Sequence, residues 1–187
     1  MNLRLASHCV LQRKRYVFWM LSRVTVQSSQ GILLAGERRL RCAIGKNGVS
    51  AHKHEGDNCT PLGAFPLRAG LYRPDRVTPP PSSLLMLPLS PYDGWCDEAG
   101  HPDYNQQVKL PFDARHEKLW RDDHVYDVII PLGYNDAPVV AGAGSAIFFH
   151  LAHEDYRGTE GCVAIVREDM LWLLPQLSAQ TIMEIVG

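Results

Sequence analysis

Ala146-Ile147-Phe148-Phe149-His150-Leu151 and Cys162-Val163-Ala164-Ile165-Val166, joined by the polar interval Ala152 to Gly161, set the architecture of this 187-residue chain. Both runs are rich in β-branched and aromatic side chains, which favour strands. Upstream, Val125-Tyr126-Asp127-Val128-Ile129-Ile130 has the same chemistry, and Gly142-Ala143-Gly144 supplies a turn before Ala146. Downstream, Glu168 and Asp169 place acids in the first turn of a helix over Asp169 to Leu177. Met170, Leu171, Leu174 and Leu177 share one face of it, and Pro175 is expected to kink it. Thr181-Ile182-Met183-Glu184-Ile185-Val186 reads as a closing strand.

Toward the N-terminus the pattern stays β-rich. Val24-Thr25-Val26 alternates with period two, and Ile32-Leu33-Leu34 pairs with Arg39 to Ile44 across an Ala35-Gly36-Glu37 turn. Gly45 to Cys59 is a polar loop. Gly63-Ala64-Phe65-Pro66-Leu67-Arg68 is a short strand that Pro66 places near a sheet edge. Residues 74–111 are punctuated by proline, yet Tyr92, Trp95 and Tyr104 give them apolar anchors, so an ordered insertion is expected. The fold class is mainly β with one or two short helices.

Composition narrows the function classes. There are 20 acidic and 19 basic residues, a net charge of −1, which argues against a broad nucleic-acid surface. No run of about 18 apolar residues occurs, so no membrane-spanning helix is expected. Charge is uneven: Arg4, Arg13, Lys14, Arg15 and Arg23 precede the first acid, Glu37. Residues 1–22 read as a basic, poorly ordered extension, with the folded domain over 23–187. Tyr16 to Leu21 is shorter than the roughly 7–15 apolar residues of a signal-peptide core. The five cysteines are widely spaced without a C-x-x-C pair, which indicates neither a zinc ribbon nor a disulfide framework.

The chemistry concentrates between Phe148 and Ile165. A strand-end imidazole, His150, and a loop-end thiol, Cys162, meet at one edge of a sheet. A cysteine nucleophile needs such a neighbouring base and access for a carbonyl substrate. Gly161 permits close backbone approach, and N–H groups at Gly161 and Cys162 are candidate oxyanion donors. The competing reading places both side chains in the core. His153, three residues after His150, is expected on the opposite strand face.

The chain resembles the L,D-transpeptidase catalytic domain, or YkuD, family. The resemblance rests on Thr60-Pro61-Leu62-Gly63-Ala64-Phe65 near the start and on His150 with Thr159-Glu160-Gly161-Cys162-Val163-Ala164 near the end, and covers roughly residues 31–186. It implies a β-sandwich with a mixed sheet, Cys162 as nucleophile, His150 as base, and no metal or organic cofactor. It also implies peptidoglycan stem peptides as partners and the cell envelope as the site of action, although without a clear signal peptide a cytoplasmic place stays open. Oligomeric state is not legible.

The motif departs from the family at two positions. Glu160 stands where a histidine is usual, and Ala164 where arginine or asparagine is usual. Glu160 either orients a substrate cation or replaces a hydrogen bond, and Arg157 or Arg167 is a candidate for the lost cation. Thr159 is a supporting neighbour or a turn residue. Tyr134 and Asn135, with Arg157, are candidate substrate contacts. The expected activity is a cysteine acyl transferase that forms a thioester with a stem tetrapeptide and passes it to an amine or to water. The alternatives are a peptidoglycan-binding relative without turnover and, further off, a metal-binding module using His52, His54 and Cys59.

Overall fold

The computed structural model describes residues 17–21, as backbone, and 29–187. The strand expected at Val24–Val26 lies outside the described residues. So does the basic extension expected over 1–22, apart from Val17–Leu21, which forms strand β1. The hairpin read from sequence is present as β2 (Gln30–Ala35) and β3 (Arg38–Ala43). The polar loop contains β4 (Val49–Ser50), which pairs with β5 (Thr60–Pro61). There follow β6 (Gly63–Pro66), β7 (Gly70–Tyr72) and β8 (Met86–Pro88). The insertion adds β9 (Asp93–Cys96) and β10 (Gln107–Lys109), and β11 (His116–Lys118) lies just beyond it. The last elements are β12 (Val128–Pro131), β13 (Phe148–Leu151), β14 (Val163–Ile165), helix α1 (Arg167–Leu173) and β15 (Ile182–Val186).

Ten strands form one mixed sheet in the order β6-β15-β1-β2-β3-β14-β13-β12-β7-β8. Pro66 ends β6 at a sheet edge, as expected of a residue that cannot donate to the ladder. A separate three-stranded sheet runs β10-β9-β11. The chain is therefore mainly β with a mixed sheet and one short α-helix.

Period-two alternation sends neighbouring side chains to opposite faces. Val128, Ile130, Phe149, Leu151, Val163 and Ile165 face one core, where Met170 and Leu173 of α1 cover them. Ile129 and Phe148 face the other, where Trp95 of β9 meets the Phe148 ring edge-on at 5.1 Å. His150 shares the Phe148 side of β13, and Cys162 packs in the same cluster as Phe148.

Several elements are shorter than their sequence patterns, three of them for identifiable reasons. The run Val125–Ile130 becomes strand only from Val128. Asp127 is fully buried and turns the chain to meet Arg76, His124 and Arg167 at 2.9–3.0 Å. Ala146 adopts a positive φ of 53°, so β13 starts at Phe148. The helix begins at Arg167 and ends at Leu173, and Leu174–Gln176 tightens into a 3-10 turn that accommodates Pro175.

Candidate active site

β13 and β14 run parallel, with His150 opposite Ala164. Cys162, just before β14, therefore reaches the level of Phe148, whose backbone N–H donates to Sγ at 3.3 Å. The thiol donates to the Ala146 carbonyl at 3.2 Å. Among the described residues no hydrogen bond joins it to His150. Both side chains instead line one cavity of about 580 Å³. The expected juxtaposition at one sheet edge is present in the form of two groups facing a shared space.

His150 and Cys162 are 6% and 7% exposed, and this decides their protonation. Burial pushes the Cys162 thiol up to about 12, aided by the negative charge of Glu117 and opposed by the Phe148 N–H and the Lys53 ammonium. Burial holds His150 down to about 4, against the hydrogen bond to the Leu151 carbonyl. That bond, from Nδ1 at 2.9 Å, fixes the tautomer. A carbonyl only accepts, so Nδ1 carries the proton and Nε2 is the basic nitrogen. The resting pair is thus a neutral thiol and a neutral imidazole.

The loop before Cys162 is built around Thr159. Its hydroxyl donates to the Cys162 carbonyl at 2.6 Å and accepts from Gly161 N at 3.2 Å. Gly161 has φ +136°, and a Cβ there would stand 2.8 Å from the Cys59 carbonyl oxygen. Glycine at 161 thus answers a close backbone contact inside the protein. Glu160 lies on the cavity rim, pairs with Lys46 at 3.1 Å and leaves 81% of its side chain exposed.

Arg157 lines the cavity with its Nη2 2.9 Å from His153 Nε2. His153 was expected to face away from His150. β13 ends at Leu151, so strand alternation no longer applies, and both histidines line the same cavity. Arg167 is held by Asp127 and the Arg76 carbonyl and is not a cavity residue. The cation whose charge reaches Cys162 is Lys53, a residue that no sequence motif singled out. Its side chain is buried, pairs with Asp57 at 2.7 Å and passes beside Gly144 and Gly161.

Tyr134 and Asn135 do not reach this cavity. Asn135 has φ 50° and its side chain amide bonds to the Val140 and Gly144 carbonyls and to Val140 N. Tyr134 donates to the Ala143 carbonyl and lines a second cavity of about 340 Å³. Both brace the 140–144 loop. His52, His54 and Cys59 are not gathered around a point. Among the described residues, no group of three or more His, Cys, Asp or Glu is placed to hold a metal ion.

Three further residues shape the site. Asn105, buried at φ 59°, accepts from Trp95 Nε1 and Ala146 N at 3.0 Å each and donates to the Tyr134 and Asn135 carbonyls. Tyr126 sets its ring edge-on to His150 at 5.1 Å and donates to Glu117 Oε1 at 2.5 Å. Glu55 accepts from Ser145 Oγ at 2.7 Å and from Tyr104 Oη, tying the insertion to the loop before Cys162's partner Ala146. These residues are distant in sequence from the His150–Cys162 motif. Only the aromatic content of the insertion hinted at them.

The sequence model of the L,D-transpeptidase catalytic domain, YkuD, matches residues 16–185. No curated protein matches the chain. Among solved structures, L,D-transpeptidase 1 of Mycobacterium tuberculosis aligns with a TM-score of 0.40 and 10% identity, over 92% of this chain and 62% of that one. An L,D-transpeptidase from Mycobacterium smegmatis aligns with a TM-score of 0.43 and 11% identity, over 92% of this chain and 59% of that one. This chain thus spans about three fifths of the length of either. On the match over residues 16–185, the chain belongs to the L,D-transpeptidase catalytic domain (YkuD) family.

Proposed function

We propose that the protein is a cysteine acyl transferase acting on peptidoglycan stem tetrapeptides in the cell envelope, with Cys162 as nucleophile and His150 as its base. The observation that carries this reading is the pairing of a buried thiol and a buried basic imidazole on the wall of one open cavity.

With both groups neutral at rest, a preformed thiolate is not the reacting species. Sγ leaves the Ala146 carbonyl as it attacks the donor carbonyl, and His150 Nε2 takes its proton in the same step. The protonated imidazole then gives that proton to the leaving D-alanine amine. A thioester on Cys162 and a neutral His150 remain. Gly161 N–H is held by Thr159 Oγ1, so the oxyanion falls to the Cys162 N–H. An amine or water then resolves the thioester.

A second reading, a peptidoglycan-binding relative without turnover, draws on the lack of a direct hydrogen bond between Cys162 and His150. One experiment decides between them: intact mass after incubation with a carbapenem, for wild type and Cys162→Ala in parallel. A stable adduct on wild type alone is expected. No adduct on folded wild type would overturn the acyl-transfer reading in favour of binding.

A further inference from the structure

The cavity holds a carboxyl group that the acylation step does not use. Glu117 sits at the centre of β11, directly opposite Trp95 of β9. Cross-strand partners share a sheet face, and Trp95 packs on Phe148 beside Cys162. Strand geometry therefore aims Glu117 at the catalytic cluster. Its Oε1 accepts from Tyr126 Oη, and the Tyr126 ring leans on His150. No hydrogen bond to Oε2 is made among the described residues, and no side-chain oxygen of a non-exposed residue is both buried and unbonded. Oε2 is therefore open to the cavity that His150 and Cys162 also line. Arg121, Asp97 and Glu160 are the other charged side chains acting on this carboxyl.

The thioester reading above creates a need for such a group. An amine acceptor arrives in water as an ammonium, which cannot attack until it loses a proton, whereas water arrives uncharged. His150 is committed to the proton that must reach the departing sulfur. We propose that Glu117 binds the ammonium of the acyl acceptor and receives its first proton, so that this pocket is built for transfer to amines.

The ammonium gives one proton to the Glu117 carboxylate and becomes a free amine. Its nitrogen attacks the thioester carbonyl; the C–N bond forms and the C–S bond breaks. The second nitrogen proton passes through His150 to the Cys162 sulfur. An amide, a thiol, a neutral imidazole and a protonated Glu117 remain, and Glu117 returns its proton to the cavity water. Burial raises the Glu117 pKa, which makes it a stronger base than an ordinary surface carboxylate.

The test rests on the thioester reading and separates the two claims. Wild type and Glu117→Gln are acylated with a stem tetrapeptide, and the adduct on Cys162 is followed by intact mass. Each adduct is then resolved in buffer with or without glycinamide, and the ratio of amide product to hydrolysis product is measured. General base catalysis typically contributes about 10²–10⁴-fold, so the ratio is expected to fall at least about tenfold in Glu117→Gln. A ratio that matches wild type within about twofold would overturn the role of Glu117 and leave the thioester reading intact. Loss of the adduct from Glu117→Gln would also overturn it, by assigning the residue to assembly of the site. Failure of wild type to form any adduct would instead defeat the thioester reading, and this proposal with it.

Discussion

Ala146 and Cys162 are joined by a hydrogen bond in which the thiol donates to the Ala146 carbonyl at 3.2 Å, and that carbonyl is aimed by a left-handed backbone at Ala146. An L-residue at φ 53° costs roughly 1–3 kcal/mol and persists only where its surroundings fix it. Asn105 fixes it, accepting the Ala146 N–H while its other amide bonds anchor it to Trp95, Tyr134 and Asn135. The proline-rich insertion therefore sets the rotamer of a thiol 57 positions further along the chain.

Asn105→Ala should accordingly damage both folding and reactivity. It leaves the Trp95 and Ala146 donors and two carbonyls without partners, at about 1–3 kcal/mol for a buried group so orphaned. A loss of about 2–4 kcal/mol is expected in urea unfolding. Carbapenem acylation of Cys162 in the protein that remains folded should slow at least about tenfold. Unchanged acylation would mean that Ala146 holds its conformation unaided.

His150 gives stability an acid limb. Its folded-state pKa of about 4 lies below the ordinary 6.5, so the unfolded chain takes up the proton first as pH falls. The contribution of the neutral ring is complete above about pH 6.5 and is lost as pH falls toward 4. It amounts to about 3 kcal/mol over that window. Urea unfolding between pH 7 and pH 4.5 should show a steeper decline for wild type than for His150→Gln. Equal slopes would place the ring in a more hydrated setting than its 6% exposure implies.

Gly161→Ala tests the tight passage before Cys162. The new methyl would meet the Cys59 carbonyl at 2.8 Å and would force an L-residue to φ +136°. Both effects act on the folded state, so a loss of about 2 kcal/mol or more is expected in chemical unfolding. Gly36 is the control. It also has positive φ, but nothing lies within 4 Å of its Cβ position, so Gly36→Ala should cost less.

The legible part of this protein was the part governed by period-two alternation and by a local motif. Phe148–Leu151, Val163–Ile165, the β2–β3 hairpin and the edge position of Pro66 all follow from side-chain chemistry within a few residues. The strand at 125–127 failed because a buried Asp127 pairs with Arg76 and Arg167 from distant parts of the chain and with nearby His124, and no local strand pattern encodes that. His150 and Cys162 were readable as a pair, and they do line one cavity. Glu117, Tyr126, Asn105 and Lys53 were not readable, because their roles arise where separate strands and loops meet. Tyr134 and Asn135 read as candidate substrate contacts because polar turn residues serve either purpose; both hydrogen-bond to the 140–144 loop, and Tyr134 also lines the second cavity.

The ion pairs Glu160–Lys46 and Asp57–Lys53 differ sharply in burial. Glu160 stands where the family resemblance implies a histidine, yet its carboxylate is largely exposed and, among the described residues, its ion pair is with Lys46. Exposed pairs are worth roughly 0–1 kcal/mol, so Glu160→Gln should change stability by no more than about 0.5 kcal/mol. Asp57 and Lys53 are buried, and Asp57 also accepts from His54 N and Cys59 N at 2.9 and 2.8 Å. Asp57→Asn would leave the Lys53 ammonium without its counter-charge inside the protein, at about 3–5 kcal/mol. Lys53 would also lose the group that holds it beside Gly161. Its support for a thiolate at Cys162 would then change, so alkylation of Cys162 should alter in Asp57→Asn and stay near wild type in Glu160→Gln. Urea unfolding and iodoacetamide labelling of the two variants check both halves. If Glu160→Gln were the more disruptive substitution, the buried Lys53–Asp57 pair would not be the charge that serves this site.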